Sequence, residues 1–230
     1  MSSNKFIAII PARSGSKSIK DKNLTNLGNK PLLAWSIQSC FKTKLISKVF
    51  VSTDSAKYAN IAKRYGPVEI ILRPKKICGD KSTDYEMIKH AIESINYDYS
   101  YIAHIRPTTP LRNIRDLNKA MKMFINSKFS SLRSVHEMPE TSYKTFEVRK
   151  GVLKPLKNLN FTMEELNGPR QNFKKTYVPN GVIDIYKKSL IIKKKQLFGS
   201  KVKAYETVYT HEIDNKDDLN FVQFLCKKKL

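Results

Sequence analysis

The sequence predicts an α/β domain, a three-layer sandwich around a mainly parallel sheet. Three observations predict it. Short apolar runs such as Phe6–Ile10 alternate with segments of helical spacing, which is the rhythm of βαβ units. The first run is apolar at every position, as in a strand buried on both faces. It stops at Pro11, and a loop of small and basic residues follows where open α/β sheets place their ligands.

The elements follow in order. Phe6–Ile10 is the first strand. Pro31 starts a helix to about Phe41, with Leu32, Leu33, Trp35, Ile37 and Cys40 as its apolar side. Lys48–Ser52 is a second strand, and Thr53-Asp54-Ser55 caps a helix over about Ala56–Tyr65. Val68–Leu72 is a third strand, and Thr83 or Asp84 opens a helix to about Ile95. Tyr101–Ile105 is a fourth strand, ending in Arg106-Pro-Thr-Thr-Pro-Leu-Arg112. Ile114–Ile125 is helical, and Ser130–Val135 is a strand. Between about His136 and Lys175 the rhythm breaks. Pro139, Gly151, Pro155 and Pro169 interrupt short polar segments there, as in an inserted arm. Tyr177–Tyr186 resumes as strand, and Lys216–Leu225 is a closing helix.

At 230 residues and 40% hydrophobic composition, the chain suits one α/β domain with a small appendage. No apolar run reaches the roughly 20 residues of a membrane span, and no signal peptide opens the chain. Cys40, Cys78 and Cys226 show neither zinc nor disulfide-framework spacing, so a reducing cytoplasm is expected. The net charge of +23 brings nucleic-acid binding forward as a rival function. Against it, the excess is lysine, with nine arginines in all, and it is spread along the chain. Clusters such as Lys193-Lys-Lys195 are short, and no nucleic-acid motif accompanies them. A positive field also suits small anionic substrates.

The loop after the first strand carries Arg13, Lys17, Lys20 and Lys22, interleaved with Ser14, Gly15, Ser16 and Ser18. Small residues let backbone N–H groups approach an oxyanion, and the cations neutralise it. A triphosphate cradle is one reading; a solvated lysine-rich loop is the other. It is not a Walker loop: Ile10 stands where the first glycine belongs, and Ser16 separates Gly15 from Lys17.

Pro11-Ala-Arg-Ser-Gly-Ser-Lys-Ser-Ile-Lys-Asp-Lys-Asn23 resembles the signature of the acylneuraminate cytidylyltransferases. It matches at Pro11, Ala12, Arg13, Gly15, Ser16, Lys17, Ile19, Lys22 and Asn23. Further landmarks of that family recur in order: Val51-Ser-Thr-Asp-Ser55, Arg73-Pro74 with Asp80, Ser82 and Thr83, and Pro107-Thr-Thr-Pro-Leu-Arg112. Pro169-Arg-Gln171, Pro179-Asn-Gly181 and Glu212-Ile-Asp214 complete the set. The resemblance implies a Rossmann-like nucleotidyltransferase fold and transfer of CMP from CTP to an acidic nine-carbon (nonulosonic) sugar, with loss of pyrophosphate. It also implies a homodimer formed through the arm at about 136–175.

On this reading Arg13, Ser16, Lys17 and Lys22 hold triphosphate, and Arg13 and Lys22 offset the charge that develops on the leaving group. Asn23 reaches the ribose or a phosphate. Arg73 presents a planar donor fork to cytosine, or is a surface arginine beside a proline. Ser82 and Thr83 are base contacts or a helix N-cap. Glu212 and Asp214, two apart on an extended segment, share a face and suit Mg²⁺; an acidic helix cap is the alternative for the Asp217-Asp218 that follows. The family has Asp at the first metal position, so Asp214 is the firmer ligand.

Thr108, Lys144, Arg170, Gln171 and Asn180 match sugar-side positions of the family. Two residues depart from it. Arg106 replaces a family Gln, and Asp184 replaces a family Tyr. An arginine can pair with a sugar carboxylate and an aspartate can accept from an amino or hydroxyl group, or the two can pair with each other. A shifted sugar preference is expected. A sugar nucleotidyltransferase for a different acidic sugar or NTP is the nearer alternative function; a basic nucleic-acid-binding protein is the distant one.

Overall fold

The chain's centre is strand β1 (Phe6–Pro11), hydrogen-bonded on both edges. The computed structural model describes residues 5–125, 127–156 and 161–228. After β1, a short ribbon of β2 (Asn26–Leu27) and β3 (Lys30–Pro31) leads into α1 (Leu32–Phe41). Next come β4 (Ile46–Thr53), α2 (Ala56–Lys63), β5 (Glu69–Leu72) and α3 (Asp84–Ser94). They are followed by β6 (Tyr101–His104), α4 (Ile114–Ile125) and β7 (Ser131–Glu137). The arm holds a hairpin, β8 (Phe146–Arg149) and β9 (Val152–Pro155), and the short helix α5 (Met163–Asn167). The chain then returns through β10 (Tyr177–Lys187), α6 (Lys188–Lys194), β11 (Val202–Glu206) and α7 (Lys216–Lys227).

Seven strands form the main sheet in the order β11-β7-β10-β6-β1-β4-β5. All neighbours are parallel except β10, which runs antiparallel to both β6 and β7. Alternation along β1 explains its all-apolar sequence. Phe6, Ala8 and Ile10 enter a core with α1, α2 and α4, while Ile7 and Ile9 enter a second core with α3 and α6. Each fully buried isoleucine contributes about 1.5–3 kcal/mol by transfer from water. The predicted three-layer sandwich is what these two cores build.

Strand order places the site. From β1 the chain moves outward to β4 and β5, then crosses back to put β6 on the other side of β1. The crevice at that reversal, beyond the carboxyl ends of β1 and β6, is where such sheets bind ligands.

Several elements differ from the sequence reading. Pro31 ends β3 and caps α1 in extended conformation, and the helix begins at Leu32. Helix α6 and strand β11 went unread. Lys188–Lys194 buries only Ile191, and Val202–Glu206 is an edge strand that buries only Tyr205, so neither carries a strong apolar period. The irregular arm starts later than His136, because β7 continues to Glu137 and pairs there with Tyr177. Residues 157–160 of the predicted arm lie outside the described residues.

Candidate active site

Three loops at the carboxyl ends of strands enclose a cleft of about 300 Å³. Its walls come from the loop after β1 (Arg13, Ser16, Lys17, Lys22, Asn23), the segment after β5 (Arg73, Asp80, Ser82, Thr83, Asp84) and the turn after β6 (Arg106, Thr108). Ten of the seventeen sequence-nominated residues therefore converge in one place.

The first loop is held by anchors outside itself. Asp54, just beyond β4, accepts from both the Ser14 amide (2.8 Å) and the Ser14 hydroxyl (2.9 Å). Asp21, in left-handed conformation, accepts from Lys57 (2.9 Å) and from the Tyr58 hydroxyl (3.1 Å). Asn23 is buried and donates to the Arg13 carbonyl at 3.1 Å, bracing the loop from within. These contacts fix where Arg13, Lys17 and Lys22 stand before any ligand arrives.

The cations are only loosely engaged. Arg13 donates to the Cys78 carbonyl (3.1 Å) and pairs with Asp80 (3.3 Å). Lys17 pairs with the same carboxylate at 2.5 Å. The hydrogen bond from Lys17 and the charge of Arg13 hold the Asp80 carboxyl below its usual range. Lys22 donates to the Ile213 carbonyl (2.9 Å) and lies 3.3 Å from Asp214.

Arg73 is not the surface arginine that its proline neighbour allowed. It is 8% exposed, and its guanidinium donates to the Ser52 hydroxyl (3.2 Å) and carbonyl (2.9 Å). Burial lowers its pKa, and the two hydrogen bonds to Ser52 hold the guanidinium in place. Thr83 is the N-cap of α3 in a reciprocal box with Glu86. Ser82 closes a turn by donating its amide to the Gly79 carbonyl at 3.1 Å.

On the opposite side of the cleft the charges cancel. Arg106 donates to Asp184 (2.7 Å) and to Asp84 (2.6 Å), and Arg133 lies 3.5 Å from Asp184. Burial works against the Arg106 charge, but Asp184 and Asp84 outweigh it and raise its pKa. Behind them His104 contacts the Tyr186 hydroxyl at 3.2 Å; burial pushes its pKa down to about 3, so it is neutral. Asp184 is 1% exposed and does not line the cleft. Its carboxylate is occupied by two arginines and the Tyr186 hydroxyl (3.4 Å), so the mutual pairing of Arg106 and Asp184 is the arrangement realised.

Glu212 and Asp214 sit at the rim. Between them Ile213 is fully buried, its amide donating to the Thr108 carbonyl at 2.8 Å, and the two carboxylates flank it, Asp214 beside Lys22 at 3.3 Å. Glu212 accepts from the Thr108 hydroxyl at 2.8 Å. Opposite it, β10 bulges: Pro179 pairs with Val135 but Asp184 pairs with Arg133, so Asn180–Ile183 face the single residue Ser134. Gly181, at φ +65°, is the tip. A Cβ there would lie 2.6 Å from the Thr109 hydroxyl and 3.4 Å from Glu212, so only glycine fits. Asn180 is buried in the same bulge and donates to the Thr207 hydroxyl at 2.7 Å.

Lys144, Arg170 and Gln171 lie on the arm, outside the cleft of their own chain. Lys144 stands over the Phe173 ring, and Arg170 pairs with Glu137. Sequence reasoning missed Asp54, Asp80, Asp84 and Arg112 as site-shaping residues. Arg112 is buried, burial lowers its pKa to about 10, and it donates to Ser36, Val182 and the Arg106 carbonyl, fixing the turn that carries Arg106 and Thr108. The strand order is the signal for Asp54, since it follows the strand beside β1.

A cytidylyltransferase family model matches residues 7–229. The chain belongs to the cytidylyltransferase family. It is 35% identical over 221 residues to an N-acylneuraminate cytidylyltransferase of Escherichia coli O18:K1:H7, covering 94% of this chain and 50% of that one. It is 30% identical over 204 residues to a Helicobacter pylori protein named pseudaminic acid cytidylyltransferase and UDP-2,4-diacetamido-2,4,6-trideoxy-beta-L-altropyranose hydrolase, covering 88% of this chain and 38% of that one. The chain thus spans half or less of these relatives' length. A CMP:2-keto-3-deoxy-manno-octonic acid synthetase solved with CTP shares the fold, with TM-score 0.75 and 15% identity over 98% of this chain and 100% of that one.

Proposed function

We propose that this cytidylyltransferase moves CMP from CTP to the anomeric hydroxyl of a nonulosonic acid, releasing pyrophosphate. The observation that carries the reading is the preset cationic loop of Arg13, Lys17 and Lys22, facing Arg73 across the reversal point of the sheet. The names of the two relatives, cytidylyltransferases of N-acylneuraminate and of pseudaminic acid, supply the substrate class.

The chemistry asks little covalent work of the protein. A sugar oxygen attacks the α-phosphorus in line while the bond to the β-phosphate oxygen breaks. Arg13, Lys17 and Lys22 offset the charge growing on pyrophosphate, and the anchors at Asp54, Asp21 and Asn23 spare the cost of reorganising them. Arg73 fixes the base end.

The residues fit a magnesium ion. Glu212 and Asp214 are hard-oxygen donors on either side of the buried Ile213, and no cluster of three or more potential ligands occurs among the described residues. Mg²⁺ ordinarily keeps waters and binds through one or two carboxylates plus substrate phosphates. Glu212 and Asp214 would hold it, and it would neutralise phosphate charge. Asp214→Asn should then abolish metal-dependent turnover, whereas Glu212→Asp should be mild.

The chain is further proposed to act as a homodimer in a reducing cytoplasm, the latter in keeping with three free cysteines. The arm exposes Val148, Val152, Leu153 and Leu156, a run of apolar side chains suited to a second copy. Its Lys144, Arg170 and Gln171 would then serve the neighbouring subunit's sugar. The assay for the whole proposal is pyrophosphate release with each NTP and a panel of nonulosonic acids.

A further inference from the structure

We infer that Asp80 is an internal stand-in for phosphate, a carboxylate that occupies the cradle when it is empty and competes with pyrophosphate for it. The inference rests on the proposed nucleotide site and adds a regulatory element to it.

Two of the cradle's three cations pair with the same side chain. Asp80 Oδ1 lies 3.3 Å from Arg13 and Oδ2 lies 2.5 Å from Lys17. A carboxylate presents two oxygens to two cations much as a phosphate edge would. Asp80 is the first residue after Gly79, on a turn closed by the Ser82 amide donating to the Gly79 carbonyl. Arg13 makes a third hold on this segment through the Cys78 carbonyl. The segment from Pro74 to Ser82 is thus latched to the loop after β1 by that hydrogen bond and the two ion pairs.

A ligand phosphate on Arg13 and Lys17 must break this latch. Pyrophosphate carries several charges against one carboxylate charge, so the ligand wins, but its affinity is reduced by the competition. Both ion pairs are partly solvated, with Asp80 45% exposed and Lys17 83% exposed, so each is weak. A weak latch gives a modest penalty and a rapid exchange. In the forward reaction its consequence falls on product release. As pyrophosphate departs, Asp80 reclaims Arg13 and Lys17 and opposes rebinding. Lys81, Lys76 and Lys75 flank Asp80 on the same segment and are the cations nearest to it in sequence. None of them forms an ion pair with it among the described contacts.

The test uses inorganic pyrophosphate in magnesium-free buffer, which isolates the cradle from the base contact and from any metal. Calorimetry on the full chain and on Asp80→Asn should show roughly three- to tenfold tighter binding in the variant, the scale of losing two exposed ion pairs. Pyrophosphate added to the unaltered protein should also speed amide exchange across residues 78–82, because the latch is released. Unchanged or weaker pyrophosphate binding in a folded Asp80→Asn would overturn the inference, as would protection of residues 78–82 by pyrophosphate. If the unaltered protein binds neither pyrophosphate nor CTP, the nucleotide site itself is wrong, which is a different failure.

Discussion

The two sides of the cleft handle charge in opposite ways. On the side of β1, Arg13 and Lys17 share one half-exposed carboxylate, and Lys22 meets Asp214 at only 3.3 Å. On the side of β6, Arg106 is clamped between Asp84 and Asp184, with Arg133 behind, and the group is nearly neutral. Of the cations that must meet a ligand, Arg13 and Lys17 are left partly exposed, while Lys22 is held by the Ile213 carbonyl; the cation that shapes the wall, Arg106, is matched by local carboxylates. The same residue types therefore predict opposite phenotypes on the two sides.

The largest effect is expected in the clamp. Asp184→Ala leaves Arg106 and Arg133 facing a buried gap, and breaking a buried pair by removing one partner costs about 3–5 kcal/mol. Urea unfolding should register it as a loss of stability. An Asp184→Ala protein as stable as the parent would show that the clamp is not structural.

Next come the open cations. Arg13→Ala should lower turnover by roughly 10²–10³ with the unfolding curve almost unmoved, and Lys22→Ala should lower it as far with a small added loss of stability, because Lys22 also holds the Ile213 carbonyl. Steady-state kinetics beside circular dichroism separates the two outcomes. Equal losses of activity and stability in these variants would erase the contrast between the two sides.

Arg73 stands between these extremes, buried yet facing the ligand. Arg73→Met should reduce the preference for CTP over UTP by about 1–3 kcal/mol, the scale of a planar base contact. A competition assay with mixed nucleotides reads it directly.

The smallest effect belongs to Thr83. As an N-cap with Glu86 it should cost about 1 kcal/mol on Thr83→Ala, with the KM for CTP unaltered. A raised KM at unchanged stability would make it a base contact instead.

These contrasts explain what the sequence alone made legible. The sheet, its alternating helices and the loop after β1 were readable because each has a local signal: an all-apolar run, a helical period, a cluster of lysines among small residues. Helix α6 and strand β11 lacked that signal, since each buries one side chain. The cleft's cationic half was readable for the same reason as the loop. Its neutral half was readable only in part: the pairing of Arg106 with Asp184, 78 residues away, was one of the alternatives offered by the sequence, but the second carboxylate, Asp84, and the second arginine, Arg133, were not. Pairing at such range depends on the antiparallel insertion of β10 beside β6, a feature of topology that no local pattern reports. The role of Asp54 was hidden likewise, since its contact with Ser14 spans 40 residues.

Pyrophosphate release tests the central claim most directly. Purified protein, Mg²⁺ and a nonulosonic acid should liberate pyrophosphate with CTP, far less with UTP, ATP or GTP, and only when the acid is present. Release with another nucleotide in preference to CTP, or none with any acid while the protein binds polynucleotides with a steep salt dependence, would contradict it.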